Sequence, residues 1–273
     1  MSLSDLLSLL FGFLFPAKKD LVLGIRWKDG WLVTFDPGSG IIKEWHTRLP
    51  QESFRGLTYD PVHNMLYALA QGSKNLYSID PLSLNVHKIG KVDVGEPGGD
   101  VSSLAYNPQS GLLYLAAVNV PGAGAQKSQL FRVDPATAAA TLIGDISVTF
   151  LNSISFNPDD GQIYAYALNA PPGDSGAWDS PLKSRLVRID PATAAMIEVF
   201  QTPYHTIMGL AKLNNKNMYY TWVNWTQHYY ALVDVATAQV TLLANSDSVG
   251  VTSDAMICRD FRVVRRAKPR DID

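Results

Sequence analysis

Cysteine is nearly missing from this chain of 273 residues, Cys258 standing alone. A single cysteine excludes an internal disulfide framework and any cysteine-rich zinc site. A solitary thiol is ordinarily a small hydrophobe in a core. An excess of either charge is missing too: 23 Lys and Arg against 25 Asp and Glu leave a net of −2. Nothing therefore draws the whole molecule to nucleic acid or to a membrane, and electrostatic arguments have to be local. The histidines His46, His63, His87, His205 and His228 contain no pair at the helical spacing of a metal site. No Gly-rich phosphate loop joins a strand to a helix, so no nucleotide, metal or other cofactor is expected. Beyond about residue 20 no segment keeps a helical period over three turns.

What is present is a repeat. One phrase runs Trp31-Leu-Val-Thr-Phe-Asp36-Pro37, Leu76-Tyr-Ser-Ile-Asp80-Pro81, Leu130-Phe-Arg-Val-Asp134-Pro135 and Leu186-Val-Arg-Ile-Asp190-Pro191, with a degenerate copy at Tyr230-Ala-Leu-Val-Asp234-Val235. Its aspartates are 44, 54, 56 and 44 residues apart. A second phrase interleaves: Gly56-Leu-Thr-Tyr-Asp60-Pro61, Ser103-Leu-Ala-Tyr-Asn107-Pro108, Ser153-Ile-Ser-Phe-Asn157-Pro158 and, more weakly, Gly209-Leu-Ala-Lys-Leu-Asn214. Each unit offers four short apolar runs separated by Asp/Asn-Pro or Gly turns, the description of a propeller blade. Proline presets φ for a type I turn, and the Asp or Asn before it accepts bonds from the N–H groups beyond. Turn chemistry thus explains the repeated aspartates better than a metal does.

Complete sets of four strands fall at about 54–91, 101–145, 151–200 and 207–244. The remainder, 21–27, 31–35 and 41–45 at the front and 249–257 at the back, completes a fifth set. The expected fold is all-β: a five-bladed propeller over 20–265, closed by a composite blade from both chain ends, which would leave no strand edge open at the seam. The phrases resemble bacterial repeat propellers of the YVTN and NHL type, whose signature is Tyr-x-Ile-Asp-Pro-x-Thr. That resemblance implies the fold and almost nothing of function, because such propellers serve as binders, scaffolds, lactonases and lyases alike.

With strands labelled A to D outward from the channel, the short Asp/Asn turns all fall on one face. The long insertions at 93–102, 119–129, 145–152, 169–185 and 201–208 fall on the other. Long loops usually carry function, and aromatic residues anchor interfaces, so Trp178, Tyr204, His205, Trp225 and His228 are expected to bind a protein partner there. The alternative is that they seal loops onto blades. Gly173-Asp-Ser-Gly176 is similar to the nucleophile segment of trypsin-like proteases, but it lies in a Pro/Gly-rich insertion without that family's histidine and aspartate contexts. Loop composition explains it better, as chance explains the sequon Asn224-Trp-Thr226.

The two ends differ from the middle. Leu6, Leu7, Leu10, Phe11, Phe13, Leu14 and Phe15 crowd residues 1–19, where Pro16 stops a short apolar helix and Lys18 and Lys19 follow. The run is too short to cross a bilayer as a helix. It suits a membrane interface or a partner's groove; packing on the propeller's own rim and an atypical export signal are the alternatives. Arg262, Arg265, Arg266 and Lys268 cluster at the other end, leading into a basic and polar tail over 266–273. Composite closure would bring both ends to one corner of the tight-turn face.

The expected function is therefore a non-catalytic scaffold attached to an anionic membrane surface or a membrane-embedded complex. It would sit peripherally, on the cytoplasmic side by preference and in the periplasm or outside the cell otherwise, without nucleic acid. An enzyme or small-ligand receptor using the channel is the second reading, with Asp100, Asn152, His205 and Asp247 near its mouth.

Overall fold

The computed structural model describes residues 22–26, 29–95, 100–119, 127–168, 183–204, 206–213, 218–224, 228–245 and 251–258. These form five antiparallel four-stranded sheets and, among the described residues, no helix. The expected N-terminal helix falls outside them. One sheet has the order β20 (Val251–Cys258), β1 (Val22–Arg26), β2 (Trp31–Asp36), β3 (Ile41–Arg48); we call it blade 1. Blade 2 is β4 (Phe54–Asp60), β5 (Met65–Ala70), β6 (Asn75–Ile79), β7 (Val86–Lys91). Blade 3 is β8 (Asp100–Asn107), β9 (Leu112–Asn119), β10 (Lys127–Val133), β11 (Ala140–Ile146). Blade 4 is β12 (Phe150–Asn157), β13 (Gln162–Leu168), β14 (Arg185–Ile189), β15 (Met196–Gln201). Blade 5 is β16 (Thr206–Lys212), β17 (Met218–Asn224), β18 (His228–Asp234), β19 (Gln239–Asn245). The inner strands neighbour one another in a cycle, β20 to β4, β8, β12, β16 and back to β20. This is a five-bladed β-propeller.

The core consists of wedges between blades. Leu104, Tyr67 and Phe131 belong to the wedge between blades 2 and 3, and Tyr114, Phe156 and Ile154 to the next. Sheets buried on both faces explain why the middle strands read as nearly continuous apolar runs. Aromatic pairs bridge the wedges: Tyr67 and Tyr106 stack at 6.3 Å, and Tyr114 and Phe156 at 6.1 Å. In blade 5, Lys212 takes the position of Tyr106 and Phe156. Tyr219 then supplies the ring, 5.6 Å from Tyr164, while Lys212 turns out to Asp159 at 2.9 Å.

The turns between third and fourth strands show why the aspartates repeat. The Oδ1 atoms of Asp36, Asp80, Asp134, Asp190 and Asp234 accept the N–H two residues on, at 2.7–2.9 Å. The fifth residue closes the turn in the left-handed region: Gly40, Leu84, Ala138, Ala194 and Ala238 have φ between 58 and 63°. Only one of these is glycine, although the conformation costs other residues roughly 1 kcal/mol or more. Packing offsets that cost at two positions. Ala138 and Ala194 are buried, lying 3.3 Å from where a side chain would begin on Gly90 and Gly144 of the preceding blade's outer strand.

Candidate functional site

In each blade the inner strand starts on the long-loop face and ends at the tight turns. Near its start the pairing with the second strand slips by one residue, and the register skips Arg55, Ser102 and Asn152 in blades 2, 3 and 4. In blade 5 the skipped residue is Gly209, one position later. Such bulges re-aim a side chain and recur beside binding sites. All three side chains are half-buried, at the channel end that opens to the long loops. Arg55 Nε donates to Gln71 Oε1 at 2.8 Å, and Gln71 Nε2 donates to Asp100 at the start of the next inner strand. The Ser102 hydroxyl donates to the Ala116 carbonyl at 3.2 Å.

A second polar cluster lies beside it. Glu52, in the connection from blade 1 to blade 2, accepts from the hydroxyls of Ser73 and Tyr77 and, at 3.4 Å, from Asn75 Nδ2. Burial works against the charge on Glu52, but the bonds from Ser73, Tyr77 and Asn75, with Lys88 nearby, hold its carboxyl below the usual range. The same geometry, burial first and the Glu52 bond next, pushes the Tyr77 hydroxyl up to about 12. Blade 1 carries Arg26 at this end, its guanidinium 4.8 Å from the centre of the Trp45 ring and 3.1 Å from Asp29.

Among the described residues no three His, Cys, Asp or Glu side chains are grouped to hold a metal. His46 is buried against Thr34 with 2.6 Å between Nε2 and Oγ1, and His63 sits on Asp60 at 2.6 Å, far from the long-loop face. The channel mouth supplies hydrogen bonds and charges that already have partners, Arg26 with Asp29 among them.

Of the expected partner-binding residues, Tyr204 is half-buried against the wedge between blades 4 and 5. Its carbonyl accepts the Ser184 N–H at 3.0 Å and lies 2.9 Å from the Thr202 hydroxyl, so this residue ties its connection to the blade. His228 opens β18 opposite Asn224. Trp178, His205 and Trp225 lie outside the described residues, as do Asp247 and the attachment residues Leu6, Leu7, Leu10, Phe11, Phe13, Leu14, Phe15, Lys18, Lys19, Arg262, Arg265, Arg266 and Lys268. Asp100 is exposed at the rim and Asn152 is at the bulge. Sequence reasoning missed Arg55, Gln71 and Glu52. Their partners come from different segments, and the bulge leaves no mark in the apolar pattern.

No protein family model matches this sequence, and no curated protein does. Solved structures share the fold. The chain matches one from the crystal structure of a nidogen/laminin complex at 10% identity and TM-score 0.56, covering 87% of this chain and 97% of that one. TolB from Acinetobacter baumannii matches at 12% identity and TM-score 0.53 over 88% of this chain, which spans 57% of the TolB chain. A protein of unknown function from Bacteroides thetaiotaomicron VPI-5482 matches at 11% identity and TM-score 0.54, covering 88% of this chain and 64% of that one. At these identities the likeness is one of fold.

Proposed function

We propose that this chain is a non-catalytic scaffold, held at a membrane or a membrane-embedded protein complex by residues 1–19 and its basic C-terminal stretch. The long-loop face, with Trp178, Tyr204, His205, Trp225 and His228, is left for a protein partner. The ring is closed in this reading by a blade assembled from both ends of the chain. The observation that carries it is the pairing of Val22 with Cys258 at the tight-turn end of β1 and β20. In blades 2 to 4 a turn such as Asn107–Gly111 joins the corresponding strands. In blade 1 that place is where the apolar segment arrives and the arginine-rich one departs. Basic side chains beside an anionic leaflet contribute about 1 kcal/mol each, and partly inserted Leu and Phe side chains add to that.

Fractionation of the native host tests this. The unaltered chain is expected with membranes, and a full-length variant carrying Leu6→Ser, Leu10→Ser, Phe13→Ser and Leu14→Ser in the soluble fraction. Equal partitioning of the two would reject attachment through this segment. A second reading, a receptor for a small polar ligand, draws on the bulged Arg55, Ser102 and Asn152 at the channel mouth. It requires saturable binding that Arg55→Ala weakens without unfolding the chain.

A further inference from the structure

Every blade repeats the tight turns, so the residue after the turn proline can be compared around the ring.

 There are seven such positions, all in blades 1 to 4. Five hold glycine, alanine or a polar residue (Gly38, Gln109, Ala136, Asp159, Ala192), and the two large apolar ones, Val62 and Leu82, both belong to blade 2. Val62 is 65% exposed and Leu82 57%. Their N–H groups bond to Asp60 and Asp80 at 2.8 Å, so the turn uses their backbone and sends the side chains outward. Glycine, alanine or aspartate serves that turn equally well elsewhere in the ring. The turn therefore gives no reason for a large apolar side chain in water.

The position of blade 2 supplies one. Its inner strand β4 neighbours β20, whose Cys258 pairs with Val22 where the apolar and the basic segments join the propeller. Across the ring, blade 4 presents two exposed carboxylates at the equivalent turn, Asp159, which Lys212 pairs with at 2.9 Å, and Asp160. One edge of the face is apolar and adjoins cationic sequence; the opposite edge carries the Asp160 carboxylate beside an ion pair. We propose that the edge formed by blades 1 and 2 rests on an anionic bilayer, with Val62 and Leu82 entering its headgroup region and blade 4 tilted away. This rests on the attachment reading above and adds the surface and the orientation. Partial burial of two such side chains in the interface favours binding, and repulsion of the Asp160 carboxylate by the leaflet sets the tilt.

Co-sedimentation of the full chain with phosphatidylcholine vesicles, with and without phosphatidylglycerol, is the test. Val62→Asp with Leu82→Asp is expected to lower the fraction bound to anionic vesicles at least about tenfold. Ala136→Asp with Ala192→Asp, the same charge change on blades 3 and 4, should lower it far less. Equal losses would overturn the proposal in favour of general charge repulsion. Undiminished binding by the first variant would overturn the proposed edge while leaving attachment intact. An unaltered chain that ignores both vesicles would reject membrane attachment and this inference with it. As a check independent of those variants, an environment-sensitive dye on Leu82→Cys, with Cys258→Ser, should shift to the blue on anionic vesicles. The same dye on Ala192→Cys should not. A shift without vesicles that grows with protein concentration would place a second copy there instead and overturn the proposal.

Discussion

The two ends of the propeller are built on opposite plans. At the tight-turn end each blade makes the same bond, an Asp or Asn oxygen to the N–H two residues on, and ends in the same left-handed residue. At the long-loop end, among the described residues, the charged side chains make different contacts from blade to blade: Arg26 stacks on Trp45 in blade 1, Glu52 gathers three donors beside blade 2, and Lys127 meets Asp145 in blade 3. Repetition marks what every blade needs in order to fold. Its absence marks surface free to differ from blade to blade, where recognition can reside.

The largest effect expected from breaking this contrast comes from Asp60→Ala. This buried carboxylate takes bonds from the Val62 and His63 N–H groups and from the His63 ring. Removing it leaves those donors short of a partner, costing about 2–3 kcal/mol. Asp234→Ala, at an exposed turn of the same design, should cost clearly less. Urea unfolding of both variants measures the difference; equal losses would mean that turn geometry alone, not burial, sets the value of these residues.

Next in size is Glu52→Gln at the long-loop end, expected to cost about 1 kcal/mol. Its more telling readout is the Tyr77 hydroxyl, which should ionise below its present value of about 12 once the carboxylate is gone. Ultraviolet titration of tyrosinate follows this. An unchanged titration would remove Glu52 as a cause.

Acid should then weaken the tight-turn end. Asp60 is held low by bonds from His63, Val62 and Tyr106 against the opposing pull of burial, and Asp80 and Asp234 are held low chiefly by backbone N–H groups. A carboxylate with a depressed folded pKa lends stability that is present above its unfolded value, near 3.9, and lost as pH falls through the folded one. Stability is therefore expected to fall below about pH 4. In Asp60→Ala the fall should be shallower.

The contrast also explains what the sequence disclosed. Turn aspartates, prolines and short apolar runs recur at spacings that a reader can align, so the blades and their strands were legible from Trp31 to Asp234. Each such feature is local, made within five residues. The channel-mouth groups were not legible, because Arg55, Gln71 and Asp100 meet only after three separate segments fold together. Nor does the composition of β4 reveal that Arg55 sits at a bulge; its neighbours Phe54 and Gly56 read as an uninterrupted strand. Gly56 itself is set by close approach: a side chain there would begin 2.6 Å from the Leu104 Cβ of the next inner strand.

The smallest effect is expected from Gln71→Ala, and its smallness is what makes it useful. Gln71 links Arg55 to Asp100 across two blades, yet the link lies at an exposed rim. Water replaces such bonds readily, and exposed charged pairs contribute little. The change in unfolding free energy should stay within about 0.5 kcal/mol. A loss of partner or ligand binding in this variant would then report recognition at the channel mouth, since the blades remain as stable as before. A loss of stability well beyond that limit would show instead that the link fastens blade 2 to blade 3, and the long-loop end would have to be counted as structural as the other.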